Sequence, residues 1–402
     1  MTIRMPHTFE RYLRAPEHPQ QATFLELFFD LAYIFAFTRI SGRLVDNLDL
    51  INAAQTLVLL LAIFWVWTFT AWSTNFFNPE RVQIQLLVIA SMFGTVVLTI
   101  AVPGAFEARG LLFAGAYLLI HLGRSLTLRY LLRGHALQHV PYLVLSWFGL
   151  SAVPWILGAF APSPVRLALW ALAIAIDYLG GILLWPTPKL GRMRESQWAF
   201  APDHLAERYR QFFNISLGET ILVLGATFIA EKSTFLRAAA LIVAFATAAL
   251  IWRIYFHQAA HTLADTLKSS NQPNRLGRAA ANAHLIMVAG VVVTSVSYRA
   301  VIDQPNGHTP ISWLLVILGG PALFLAGRAR FEYTVYAGVS PTRPIGVLVL
   351  GALVAPLLLA PPLVAAAAVV VVLTGIALAD ALRARHRPPA HPSPPPHYRP
   401  AK

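Results

Sequence analysis

The chain contains no cysteine. Disulfides, thiolate nucleophiles, iron–sulfur clusters and cysteine zinc sites are excluded together, so any metal would have to be held by His, Asp or Glu. Charge is scarce too: of 402 residues only 12% are charged, against 57% hydrophobic, and the mean hydropathy is +0.59. A soluble domain carries about 25% charged residues. The solvent for most of this sequence is therefore lipid. Lysine is almost missing, with Lys189, Lys232, Lys268 and Lys402 as the only four, so the net charge of +13 is carried by arginine. The sequence has no Gly-x-Ser-x-Gly elbow, no phosphate-cradling glycine loop and no dense histidine cluster, which removes the usual signatures of acyl transfer, nucleotide chemistry and metal hydrolysis. A cleavable signal peptide is not expected, because the first twenty-odd residues are polar and the first apolar run leads straight into more.

What is present is a succession of long apolar runs. Crossing about 30 Å of hydrocarbon takes about 17–25 apolar residues in a helix. Runs of that kind predict helices near 24–41, 53–72, 82–102, 110–132, 141–161, 165–185, 211–230, 236–257, 280–302, 311–330, 344–360 and 362–382. The expected fold is an all-α polytopic helix bundle of about twelve spans, the last two divided only by Pro361 and Pro362. With the N-terminus inside, 22 basic residues fall in cytoplasmic segments and 7 on the other side. Such a bias places both termini in the cytoplasm of a cell whose plasma membrane holds the protein. It also accounts for the basic charge without nucleic acid. The implied organisation is an N-terminal segment 1–23, a six-helix half 24–185, a cytoplasmic linker 186–210, a second half 211–382 and a basic, proline-rich tail 383–402 too polar to pack.

A charge kept at the bilayer centre costs at least about 2.5–3.5 kcal/mol, so each one retained there is a functional candidate. Glu26, Asp30, Tyr33 and Phe37 share one face of the first helix by three- and four-residue spacing. Two acids on one stripe repel, and at least one is expected to be protonated or paired with a cation. On the seventh helix Ser216 and Glu219 share a face, and Gly218 and Gly225, seven apart, invite close helix approach. His121, Arg124, Asp177, Glu207, Arg208, Arg253, His257 and His284 complete the polar set. Arg253, His257, His261 and Asp265 recur every fourth residue, predicting a polar stripe along the eighth helix with His257 as counter-ion to Glu219 or Asp177. The bland alternative for each is an interfacial residue or an interhelical bridge. No metal site and no cofactor are expected.

The two halves each open with a deep carboxylate followed by a helix rich in Trp and other aromatics, which suggests parallel six-helix repeats with Asp30 and Glu219 facing one another near a pseudo-twofold axis. At these residues the sequence resembles the bacterial low temperature requirement A (LtrA) family. The carriers are Glu26-Leu-Phe-Phe-Asp-Leu-Ala-Tyr-Ile-Phe-Ala-Phe-Thr, then Glu207-Arg-Tyr, Leu217-Gly-Glu-Thr, the Trp252 to Phe256 cluster and His284. The resemblance implies a multi-helix membrane protein linked to growth in the cold, without a substrate or mechanism. From the residues, the leading expectation is a transporter or ion-conducting protein, with Asp30, Glu219 and nearby Glu26 as a proton or cation centre. Its partners would be membrane lipid and a small ion or small-molecule substrate, with oligomerisation possible and no nucleic acid. The rivals are a membrane-embedded enzyme acting on an apolar substrate, with His257 or His284 as catalytic partner, and a non-transporting stress or assembly factor.

Overall fold

A computed structural model describes residues 12–14, 21–194, 200–386 and 392–398. Among these the chain forms α-helices and no β-strand, as the apolar runs predict. The helices are α1 Phe24–Asp46, α2 Leu50–Phe76, α3 Val82–Ala101, α4 Gly110–Leu131, α5 Val140–Phe160, α6 Ser163–Leu183, α7 Pro202–Ile229, α8 Phe235–Phe256, α9 Ala259–Lys268, α10 Pro273–Asp303, α11 Ile311–Tyr336, α12 Thr342–Ala352 and α13 Pro362–His386. Among the described residues, and counting α8 with α9, 10 helices are long and apolar enough to cross a membrane, and two of the twelve expected spans fall outside that set. α1 has the length but carries Glu26, Asp30, Arg39 and Arg43, and α12 is too short.

The polarity of α1 is that of a helix solvated by lipid: Phe28, Leu31 and Phe35 are exposed, whereas Glu26, Asp30, Tyr33 and Phe37 are buried, as the spacing predicted. An apolar exterior around a polar interior is stable only where the surroundings are hydrocarbon.

The chain divides into two compact units, Met1–Arg39 with Ile51–His204, and Ile40–Leu50 with Leu205–Lys402. In the first, α3, α4, α5 and α6 pack each on the next. Their turns are tied by Arg166, whose guanidinium donates to the carbonyls of Ala105 (2.7 Å), Glu107 (2.8 Å), Gly158 (3.0 Å), Ala159 (3.2 Å) and Ala161 (3.1 Å). Helix ends leave carbonyls without intrahelical partners, and in an apolar setting one arginine with five donors satisfies them together.

In the second unit the tightest interface is α10 against α11. A Cβ at Gly290 would collide with the Phe324 backbone, and one at Gly320 with that of Thr294. These glycines, not Gly225, supply the close approach, since nothing lies within 4 Å of Gly225. Of the two glycines expected to open a groove on α7, Gly225 therefore makes no close approach; backbone contact needs small residues on both partners at one level, and α10 and α11 meet that condition.

Four further expectations are revised. The predicted helix 344–360 ends at Ala352, and 353–359 are turns, because Pro356 cannot donate to the carbonyl four residues back. The segment nevertheless crosses the unit. Leu363 N–H bonds the Pro305 carbonyl (3.1 Å) and Thr309 the Ala360 carbonyl (2.7 Å) at the start of α11 and α13, while Arg343 joins Glu332 to Asp380 near their far ends, so α11 and α13 run the same way. Residues 202–210, assigned to the linker, begin α7, helped by Pro202 at the first position and Asp203 in the first turn. Of the tail, α13 continues to His386, and Ser393 N–H bonds the Val335 carbonyl (3.2 Å) while the Tyr398 carbonyl accepts from Asn271 N–H (3.1 Å). The prolines remove most of the backbone donors, and Pro396–Tyr398 close one 3-10 turn; residues 387–391 and 399–402 lie outside the described set. Finally, the stripe through Arg253, His257, His261 and Asp265 is interrupted, because α8 ends at Phe256 and Gln258 adopts a left-handed φ of 55° before α9 begins.

Candidate functional site

In the first unit the two acids of α1 are held differently. Asp30 accepts a hydrogen bond from the Trp67 indole (2.9 Å), an aromatic donor that α2 places one level away. Glu26 is the head of a relay. Its Oε2 accepts from the Thr23 N–H (2.9 Å) and hydroxyl (3.0 Å), and its Oε1 lies 2.8 Å from His204 Nε2. Beyond the ring, Asn75 Nδ2 sits 3.1 Å from His204 Nδ1.

The backbone of Ala201 decides where the histidine proton is. Asn75 donates through Nδ2 to the Ala201 carbonyl (2.8 Å) and accepts through Oδ1 from the Ala201 N–H (3.2 Å). That double bond fixes which end of the amide faces His204: a donor. Nδ1 must then accept, and the ring proton sits on Nε2, directed at Glu26. Glu26 and His204 are both buried. Asn75, His204 and Trp67 were absent from the sequence reading, although an Asn and a Trp within the apolar α2 run were a signal.

Asp177 on α6 accepts from the Tyr117 hydroxyl (2.8 Å), and its second oxygen has no hydrogen-bond partner. Tyr117 packs against His121 with ring centroids 4.5 Å apart, and His121 stacks on Phe148 at 4.2 Å with neither ring nitrogen bonded. Arg124, one turn on, donates to Thr70 (2.6 Å) and Ser91 (3.1 Å) and has no carboxylate partner among the described residues. The sequence-predicted His121, Arg124 and Asp177 thus line one buried polar column with open valences.

In the second unit Glu219 is fully buried. Its Oε1 accepts from Ser41 (2.6 Å) and Ser295 (3.1 Å), and its Oε2 has no partner. Among the described residues no cation approaches it. Ser216, expected beside it, gives its proton to the Phe213 carbonyl (2.6 Å) instead, as a helical serine readily does. The missed ligands, Ser41 and Ser295, belong to distant segments, though the polar run Thr294, Ser295, Ser297, Tyr298 in apolar α10 marked the place. Ser295 also lies 2.8 Å from the Val292 carbonyl, so its single proton has two competing acceptors. Tyr298, whose buried hydroxyl has no hydrogen-bond partner, borders a cavity of about 10 Å³ lined by Thr247, Thr294 and Ser297, room for one water.

The remaining polar residues are structural or turned elsewhere. His257 meets Arg253 (3.2 Å) and gives its carbonyl to Arg328 (2.7 Å), so it is not the counter-ion of Glu219; the break after α8 frees that carbonyl and buried Arg328 takes it. His284 is saturated: Nδ1 faces the Ala280 carbonyl (2.8 Å), so Nε2 accepts from Tyr255 (2.8 Å). Glu207 accepts from Gln211 (3.0 Å), and Arg208, fully buried, donates to Gln211 at 3.4 Å. No group of three or more His, Asp or Glu that could hold a metal occurs among the described residues.

These acids fall within the match to a family model described as "Bacterial low temperature requirement A protein (LtrA)", which covers residues 21–378. The chain belongs to this family. A relative, "Uncharacterized protein RA0937" of Rhizobium meliloti (strain 1021), is 33% identical over 327 residues, 80% of each chain. No solved structure matches. The LtrA assignment agrees with the resemblance carried by the α1 and α7 motifs and with a membrane protein of many apolar helices.

Proposed function

We propose that this LtrA protein moves a proton or small cation across the plasma membrane and that Glu219 is the group that binds it. One observation carries the reading: a fully buried glutamate whose partners are two hydroxyls and no cation. An ionised carboxylate in an apolar interior is stable only with a compensating charge, so such a site is completed by a proton or a bound cation. Ser295 suits the exchange. It can donate to ionised Glu219, or turn its proton to the Val292 carbonyl and accept from protonated Glu219, without leaving a bond unmade. In the first unit the Glu26–His204–Asn75 relay and the Asp177, His121, Arg124 column are the corresponding polar groups, with Asp30 and Tyr33 beside them on α1.

The proposal includes the orientation read from basic residues, both termini cytoplasmic, and a chain built of two six-segment repeats, each carrying a buried acid. The saturated His284 argues against its use as a catalytic partner and so against the enzyme alternative. The test is ion flux in proteoliposomes under an imposed pH gradient and then an imposed potential. Wild-type flux that Glu219→Gln abolishes and Ser295→Ala slows supports the reading. Wild-type protein without flux for protons, sodium or potassium rejects it.

A further inference from the structure

A cavity of about 520 Å³ lies in the second unit where α8 stops, α11 and α13 finish and α12 begins. None of the buried acids of the proposed ion site borders it. Its wall is built on two buried arginines. Arg343 donates through Nε (3.0 Å) and Nη2 (2.9 Å) to Glu332 Oε1, and through Nη2 to Asp380 Oδ2 (2.7 Å). Arg328 places Nη1 3.3 Å from the same Glu332 oxygen.

Every carboxylate oxygen has a donor: Glu332 Oε2 accepts from the Ser340 N–H (2.9 Å), and Asp380 Oδ1 from the Thr342 hydroxyl (3.3 Å). Arg328 and Arg343 stand behind the surface, each 1% exposed, and exposed Arg383, anchored on the Ser340 hydroxyl, adds a third guanidinium to the same wall. Three arginines face two carboxylates, which leaves surplus positive charge around a space far larger than a water molecule. Gln258, at the rim, is held with a left-handed φ of 55°, a conformation that costs energy in a non-glycine residue and recurs where a site over-determines the backbone. The N-terminus of α12 adds its favourable dipole to the same region.

We infer that this cavity binds a phosphate group, with Arg383 as the ligand that contacts it and buried Arg343, held by Glu332 and Asp380, as the charge behind the wall. A planar guanidinium matches phosphate oxygens in pairs, and an anion answers a surplus of cations better than a neutral ligand. The phosphate could be supplied by the headgroup of an anionic lipid or by a small soluble phosphate ester. Its volume suits either.

The experiment uses the full chain purified in detergent, as wild type and as Arg383→Gln. Arg383 is exposed, so the variant is expected to unfold at the wild-type temperature without ligand. Glycerol 3-phosphate is titrated calorimetrically, and retention of phosphatidylglycerol against phosphatidylcholine is read by native mass spectrometry. Glycerol 3-phosphate binding that Arg383→Gln weakens about tenfold supports a soluble-ester site, since a charge-assisted hydrogen bond contributes on that scale. Selective retention of phosphatidylglycerol, lost in the variant, supports a headgroup site. The absence of both, or binding and retention unchanged by the substitution, overturns the inference.

Discussion

Glu219 and the knot formed by Glu332, Arg343 and Asp380 belong to the same compact unit and are buried to a similar degree, yet their surroundings are opposite. The knot surrounds each charge with its complement and saturates every carboxylate oxygen. Glu219 meets only hydroxyls and leaves one oxygen unbonded. In a low-dielectric interior a compensated charge stays where it is, whereas an uncompensated one has to be supplied with a proton or an ion. The Glu26 relay lies between these extremes, with a neutral histidine as partner whose tautomer the Ala201 backbone dictates.

The sharpest way to break the comparison is to remove the cation of the knot. Arg343→Met strands two buried carboxylates and is expected to cost about 3–5 kcal/mol, read as a large fall in the thermal unfolding temperature in detergent. Neutralising the pair in the same chain, with Glu332→Gln and Asp380→Asn added, is expected to recover most of that loss. A triple variant as unstable as the single one would mean that shape, not charge, holds the knot. Asn75→Ala is expected to cost about 1–3 kcal/mol, because His204 Nδ1 and both polar groups of Ala201 lose their partner. Glu219→Gln is expected to cost the least, at most about 1 kcal/mol, because the amide oxygen still accepts from Ser41 and Ser295. That near-neutral effect on unfolding, beside complete loss of flux, would separate an acid kept for exchange from one kept for structure.

Much of the architecture was legible in the chain. Apolar runs located nearly every long helix, and the spacing of Glu26, Asp30, Tyr33 and Phe37 put them on the buried face of α1, because helical periodicity and the cost of solvating charge in lipid are local properties. Where the reading failed, a distant residue intervened. The α8 stripe is cut where the helix breaks and Arg328 of α11 takes the freed carbonyls of Ile254 and His257, and the close approach comes at the glycines of α10 and α11 rather than at Gly225.

The sequence alone established that this is a membrane helix bundle and that Glu26, Asp30, Asp177 and Glu219 stay inside it, since both follow from setting apolar runs and charged residues against the thickness of a bilayer. It did not single out the likewise buried Glu332 and Asp380. Only the tertiary structure decided which acid has a cation and which has none. Ser41 and Ser295 reach Glu219 from segments far away in the chain, as Arg343 reaches Asp380, and pairing across such distances is set by packing rather than by any period in the sequence.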